Sequence, residues 1–319
     1  MNKRLFFESL YLISLGGFSS LSLPPYNLFI INFLTFSLFF IFLFNKKKKS
    51  ILNKFFFIYG WLFGFGYFIT NLYWISISLT FDEGFKFLIP ISIILIPSFL
   101  AIFYGIVTYL YYLIKIKKII SSFFLLSLLF GVLETIRGYV LTGFPWNLIA
   151  FSFSDQTQFI QIISLIGTYA FNMFCISLFM SPAIFILKEN IKDIVVCILF
   201  LITPIFILGY GYLYEKKFYS SQIKNNNFII RAVGSNIGIE RFYGKDESLS
   251  IIKELIELSN LDPDKKTFLV WPEGIIPNIT KNKLGDFKNL FGKQFSKNHY
   301  LGLGINNQAA VGKKLEFYN

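Results

Sequence analysis

Apolar residues run in long, nearly unbroken stretches up to about residue 213 and in short, interrupted ones after it. A membrane span takes about 20 apolar residues, because the hydrocarbon core is roughly 30 Å thick and a helix rises about 1.5 Å per residue. Seven stretches meet that length, at about Leu5 to Leu21, Leu28 to Phe44, Phe55 to Leu79, Phe87 to Ile114, Ile119 to Tyr139, Phe159 to Leu187 and Ile194 to Leu213. Lys3 and Arg4 give the first the look of a signal peptide. Pro24 and Pro25 follow it with no small-residue cleavage site, so a retained helix is expected. Gly64 and Gly66 in the third stretch suit close helix packing.

Charge between the stretches alternates. Lys3 and Arg4, Lys46 to Lys49 with Lys54, Lys115 with Lys117 and Lys118, and Lys188 with Lys192 all fall on one side of a seven-span arrangement. Basic residues in short loops stay cytoplasmic. The amino terminus is therefore expected in the cytoplasm, and everything after Tyr214 outside, in the periplasm of a bacterium.

Residues 1–213 thus read as a membrane domain and residues 214–319 as a different, α/β segment. In the second, Asn227 to Val233 and Thr267 to Trp271 read as buried strands. Asp246 to Ser259 reads as a helix with Leu249, Ile252, Leu255 and Ile256 on one face. A polar helical stretch at Lys283 to Lys297, a strand at Tyr300 to Ile305 and another from Leu315 complete the order β, α, β, α, β, β. A sheet ending there has an unpaired edge and an uncovered apolar face, which points to an incomplete domain.

Composition adds exclusions. With 55% hydrophobic residues, 15% charged residues and a mean hydropathy of +0.59, the chain is not an ordinary soluble protein. Nearly half the basic residues behind its net charge of +12 lie in the short loops or span ends, where orientation and anionic lipid account for them. No dense basic run occurs after Tyr214, so no nucleic-acid partner is expected. The two cysteines, Cys175 and Cys197, lie inside spans as core residues, without metal-ligand spacing. No metal or cofactor is implied. His299 reads as a solvated loop residue, and Gly302 with Gly304 is too weak a motif for a nucleotide site.

The segment TFLVWPEG, Thr267 to Gly274, places Glu273 just past the carboxyl end of a strand, where open α/β sheets carry reactive groups. Spacing alone fits an ordinary acidic turn residue better. A strand ending in Trp271, Pro272 and Glu273, however, resembles the first catalytic element of the nitrilase superfamily. That resemblance implies a glutamate general base, here Glu273, a lysine that stabilises the oxyanion and a cysteine nucleophile. Ordered motifs upstream narrow it. Pro24, Pro25 and Tyr26 follow the first span, and Tyr73 and Trp74 end the third. Glu134, Arg137, Gly138 and Thr142 to Asn147 form E..RG...TGFPWN, and Gly167, Thr168 and Tyr169 open the sixth span. Together they resemble apolipoprotein N-acyltransferases along the whole chain.

The resemblance implies a multi-span α-helical membrane domain followed by a partial α/β nitrilase-like domain, an α-β-β-α sandwich, in the bacterial inner membrane. The implied reaction takes an acyl chain from a phospholipid through a cysteine thioester to the amino group of a diacylglyceryl-cysteine apolipoprotein, with the enzyme a monomer. Tyr243, Trp146, Tyr73 and Trp74 become substrate-binding candidates. Tyr73, Trp74 and Trp146 equally fit interfacial belt aromatics, and Glu134 with Arg137 fits a structural pair three residues apart. The stretch Val233 to Tyr243 departs from the family, with Tyr243 where relatives tend to carry tryptophan. Phe317 to Asn319 matches the strand before the catalytic lysine. Neither that lysine nor the nucleophilic cysteine falls within these residues, so the chain alone is expected to be inactive. A noncatalytic membrane scaffold and a membrane-tethered nitrilase-type amidase are the alternatives. A transporter fits less well, because few polar groups fall near the middle of the spans.

Overall fold

The computed structural model describes residues 3–48, 53–221, 228–237, 248–276, 279–305, 307–311 and 314–318. They fall into two units, Met1–Ser221 and Gln222–Asn319.

The first unit is helical: α1 (Lys3–Ser20), α2 (Ile31–Lys48), α3 (Asn53–Leu72), α4 (Ile89–Leu113), α5 (Ile119–Tyr139), the single turns α6 (Thr157–Ile160) and α7 (Ile163–Ile166), α8 (Thr168–Leu187) and α9 (Ile191–Ser220). Five segments, Lys54–Thr80, Glu83–Leu113, Ile119–Tyr139, Thr168–Leu187 and Ile191–Ser220, are long and apolar enough to cross a membrane. The first two expected spans form helices α1 and α2, but each includes three charged residues: Lys3, Arg4 and Glu8, then Lys46 to Lys48. In α9 only 17% of the most apolar window is buried within the protein. A helix apolar all round and so little covered by its own chain suits a lipid environment.

Stacked rings fill the core. Phe36, Phe39, Phe63, Tyr67, Tyr104 and Phe130 are buried, and Phe39 lies 4.1 Å from Phe63 at 14°. Glycines let the helices touch backbone to backbone. A Cβ on Gly16 of α1 would fall 1.9 Å from the Phe63 carbonyl oxygen of α3, and one on Gly66 would fall 2.1 Å from that of Ile13. Contacts also gather the basic loops at one end of the bundle. Glu8 accepts from Arg4, Lys46 and the Tyr59 hydroxyl, Lys47 donates to the carbonyls of Tyr111 and Ile114, and Lys48 pairs with Glu189.

Three element boundaries differ from expectation. The stretch Phe159 to Leu187 is not one span. It breaks at Gly167, whose φ of +80° ends α7, and the long helix starts at Thr168. Apolar composition continued through a break that backbone geometry imposes. The last helix runs on to Ser220 instead of ending near Leu213, because the Tyr, Glu and Lys residues that follow remain able to form helix outside an apolar setting. Past Leu72 the third span tightens into a 3₁₀ segment, Tyr73–Thr80.

The second unit holds β1 (Phe228–Ala232), α10 (Ser248–Leu258), β2 (Lys266–Val270), the 3₁₀ turn Lys283–Phe287 leading into α11 (Lys288–Gln294), and β3 (His299–Gly302). β1, β2 and β3 form a parallel sheet with β2 in the middle. The interposed helices are what parallel pairing requires. Ile251, Ile252, Leu255 and Ile256 of α10 pack on Leu269, Trp271 and Val233. The other face, with Phe228, Ile230, Val270 and Tyr300, stands exposed. A separate antiparallel hairpin joins β4 (Asn307–Val311) and β5 (Lys314–Tyr318), so the expected single last strand has a partner before it. Among the described residues the sheet content is this three-stranded layer and the hairpin, smaller than a sandwich.

His299 is not a solvated loop residue. It opens β3, half-buried, with Nδ1 accepting from the Ser296 N–H at 3.1 Å and Nε2 2.9 Å from the Asp262 carbonyl oxygen. An accepting Nδ1 places the proton on Nε2, which donates to Asp262.

Candidate functional site

At the end of the helical unit opposite the basic loops, three chain turns surround a cavity of about 870 Å³. α1 ends in a turn through the cis Pro24–Pro25 bond to Tyr26, α3 ends at Asn71 to Trp74, and α5 leads into the loop that ends at Asn147. The walls combine apolar surface from Ile13, Phe18, Leu21 and Phe151 with polar atoms of Ser20, Thr70, Asn71, Asn147 and Ser154. The Thr70 hydroxyl donates to Ser20 Oγ at 2.8 Å. Asn71 Nδ2 and Ser154 Oγ are buried without a hydrogen-bond partner among the described residues.

Three of the expected substrate-binding residues meet here. Tyr73 and Trp74 line the cavity, and Trp146 stacks on Trp74 with ring centroids 5.7 Å apart and planes at 16°. Trp146 also borders a second cavity of about 520 Å³ with Tyr169 and Leu148. All three rings are exposed, Tyr73 and Trp146 more than half. The fourth, Tyr243, lies outside the described residues.

Beneath these rings the expected structural pair of Glu134 and Arg137 forms and belongs to a larger polar network, buried in the helical core at 3% and 1% exposure. Arg137 donates from Nε to Glu134 Oε2 at 3.0 Å and from Nη2 to the same oxygen. Its Nη1 donates to the carbonyls of Phe144 at 2.8 Å and Trp146 at 3.1 Å. The Tyr67 hydroxyl donates to the Asn147 carbonyl at 3.0 Å, and Asn147 Nδ2 donates to Asn71 Oδ1. Tyr67 and Asn71 escaped sequence reading because their partners are a backbone oxygen and an amide, which leave no motif.

In the second unit, Glu273 follows the central strand. Backbone bonds from Val233 N–H to the Val270 carbonyl (2.9 Å) and from Trp271 N–H to the Gly302 carbonyl (3.0 Å) extend the sheet to this point, and Gly274, with φ +65°, turns the chain away. Trp271 is buried, its Nε1 donating to Ser259 Oγ at 2.9 Å. Glu273 itself is exposed at the carboxyl edge of the parallel sheet and packs against Gly304. Among the described residues, no three His, Cys, Asp or Glu side chains gather to hold a metal.

The comparison with known proteins follows the same division. Residues 15–181, more than half of the 319-residue chain and most of the helical unit, match the family model described as apolipoprotein N-acyltransferase N-terminal domain. The chain belongs to that family. An apolipoprotein N-acyltransferase from Rhizobium etli (strain CIAT 652) is 30% identical over 293 residues, covering 86% of this chain and 53% of the relative. One from Brucella melitensis biotype 1 is 25% identical over 283 residues, 84% of this chain and 52% of the relative. One from Rhodopseudomonas palustris is 32% identical over 178 residues, covering 54% and 32%. The chain spans about half the length of the curated relatives it matches. Family and apolar helices together mark it as a bacterial membrane protein.

Proposed function

We propose that the protein serves N-acylation of bacterial lipoproteins, contributing the membrane-side lipid cavity and the general base of an acyl transfer that proceeds through a cysteine thioester. The observation that carries this reading is the position of Glu273, exposed at the carboxyl edge of the central strand of a parallel sheet. A carboxylate there can take the proton of a thiol, which is a weak nucleophile until deprotonated. The thiolate attacks the ester carbonyl of a phospholipid, a lysine cation stabilises the oxyanion, and the lysolipid leaves as the alcohol, taking the proton back from the glutamic acid and restoring the carboxylate. The amine of a diacylglyceryl-cysteine apolipoprotein then attacks the thioester, and the carboxylate accepts the amine proton as the thiolate departs.

The cavity beside Tyr73 and Trp74 suits the lipid part of this chemistry. Its apolar wall fits acyl chains, while Asn71 Nδ2 and Ser154 Oγ offer polar bonds to an ester or headgroup. The basic loops face the cytoplasm and the nitrilase-like α/β unit works in the periplasm; the enzyme acts as a monomer in the inner membrane. Cys175 and Cys197 are both buried in helices, so neither is the nucleophile, and the chain alone does not complete the transfer.

The test uses Glu273→Gln in the full-length protein with a phospholipid carrying a radiolabelled acyl chain. Loss of both thioester formation and transfer is expected. Full activity of that variant, or a thioester on the 319-residue chain alone, would overturn the reading and favour a noncatalytic scaffold in the first case.

A further inference from the structure

We propose that Arg137, held by Glu134 and assisted by Tyr67, is a positioning residue that clamps the loop 143–147 from beneath and sets Trp146 against Trp74 at the mouth of the lipid cavity. The inference rests on the cavity's being the lipid site.

The loop has little to shape it from within. Gly143 and Asn147 at its ends have φ of +84° and +59°, and Pro145 has no N–H to give. Backbone bonds from Gly143 N–H to the Val140 carbonyl (3.0 Å) and from Phe144 N–H to the Arg137 carbonyl (3.1 Å) start it, and beyond Phe144 its form comes from the three carbonyls of Phe144, Trp146 and Asn147, each taken by a side-chain donor of α5 or α3. Burying an ion pair in an apolar bundle costs more than burying two apolar side chains, so the pair earns no stability argument by itself. What it supplies is geometry. Glu134 engages Nε and Nη2 and thereby fixes the plane of the guanidinium, leaving Nη1 to reach two carbonyls on either side of Pro145. The Phe68 ring, 5.3 Å away, backs the same cation. A lysine has no such fork and could not hold a carboxylate and two carbonyls in one plane.

Trp146 is the residue between the clamped points. With the carbonyls of Phe144 and Trp146 held, the backbone beneath the ring is fixed, and the ring packs between Phe144, 6.1 Å away at 28°, and Trp74. The clamp therefore converts a buried charge into the orientation of an exposed ring. Removing it frees the ring to turn and gives up the Arg137–Phe68 contact between α5 and α3, while the glycine seam and the stacked rings still hold the helices.

Two coupled measurements test this on the 319-residue chain in detergent. Stacked tryptophans give an exciton couplet in far-ultraviolet circular dichroism, and phospholipid with brominated acyl chains quenches tryptophan near its binding site. Trp146→Phe is the reference and should abolish the couplet. The double variant Glu134→Gln, Arg137→Gln removes both charges together, so neither is left buried alone. It should keep the helical signal, lose the couplet and bind the brominated phospholipid about tenfold more weakly, equivalent to about 1.4 kcal/mol. Tyr67→Phe should act in the same direction with a smaller loss, and it decides the matter should the double variant lose its helical signal. In the full-length enzyme the same variants should raise KM for phospholipid and leave kcat unchanged, a split that general loss of structure does not produce. An unchanged couplet in well-folded variants overturns the clamp. A lost couplet with unchanged phospholipid affinity, in Trp146→Phe as well, leaves the clamp standing and overturns the lipid reading of the cavity.

Discussion

Gly304 presses against Glu273: a Cβ built on the glycine would lie 2.9 Å from the glutamate Cγ and 3.2 Å from its Cα and Cβ. The contact joins the end of β3 to the end of β2, and it gives Gly304 a reason to be glycine that has nothing to do with a nucleotide loop. A methyl group there has to move the carboxylate arm or the strand end that carries it.

On the proposed role of Glu273, Gly304→Ala is therefore expected to lower the rate of acyl transfer about tenfold, the effect of about 1.4 kcal/mol in the transition state. Thermal stability should change little, since the glycine is exposed and its φ lies outside the left-handed region. Single-turnover labelling beside a melting curve checks both halves.

Ser259 ties α10 to the strand that carries the site. Its hydroxyl accepts from Trp271 Nε1 and donates to the Leu255 carbonyl at 2.7 Å, wholly buried. Ser259→Ala leaves the indole N–H without its acceptor and should cost about 1–3 kcal/mol. Denaturant unfolding followed by tryptophan fluorescence would show it.

Two helix glycines should respond in opposite senses. Gly16→Ala drives a methyl into the Phe63 carbonyl and should destabilise by about 1–3 kcal/mol, as overpacking does. Gly209 in α9 has open space around it, so Gly209→Ala should be neutral or stabilising by about 0.5–1 kcal/mol. Melting of the two variants in one detergent gives the comparison.

The turn before β2 is tied by His299 to Asp262, and Asp262 pairs with Lys265 at 2.8 Å. His299→Ala should speed amide exchange at Ser296 and around Asp262. The hydrogen bond to Lys265, then that to the Asp264 N–H, hold the Asp262 carboxyl below its ordinary value. Its folded pKa being the lower one, the tie is present above the unfolded carboxylate value of about 3.9 and is lost as pH falls through the lowered one. Carboxyl titration by NMR should find Asp262 still ionised below the ordinary carboxylate value of about 3.9.

Much of the helical unit could be read from apolar run length, because lipid-scale helices leave a signal at every residue. The boundaries were less visible. Gly167 breaks the sixth run although the residues on both sides are apolar, and α9 outlasts its apolar stretch because Tyr214 to Ser220 favour helix without being greasy. Strands β1 and β2 and helix α10 lie close to their expected bounds, but β1 is not a buried strand, because one face of the sheet is uncovered. Leu249 is exposed, while Ile251 takes a place on the packed face of α10. Strand β4, with Gly312 just after it and few large apolar residues, gave no strand signal. Of the candidate residues, Tyr73, Trp74 and Trp146 in the helical unit and Glu273 in the second were each conspicuous. Their relations were not, because Arg137 and Tyr67 act on carbonyl oxygens that every residue possesses.

The glycine seam between α1 and α3 has one more implication. Helices that meet through bare backbone at Gly16 and Gly66 have no side chains left to yield, so these two cannot part to admit a bulkier guest. That seam is then fixed, and on the proposed lipid reading of the cavity, tolerance toward longer or branched hydrocarbon tails would come from the Pro24–Pro25 turn and the tryptophan-bearing loop. Exchanging those two short segments between relatives, and not the helices, is the way to retune what fits.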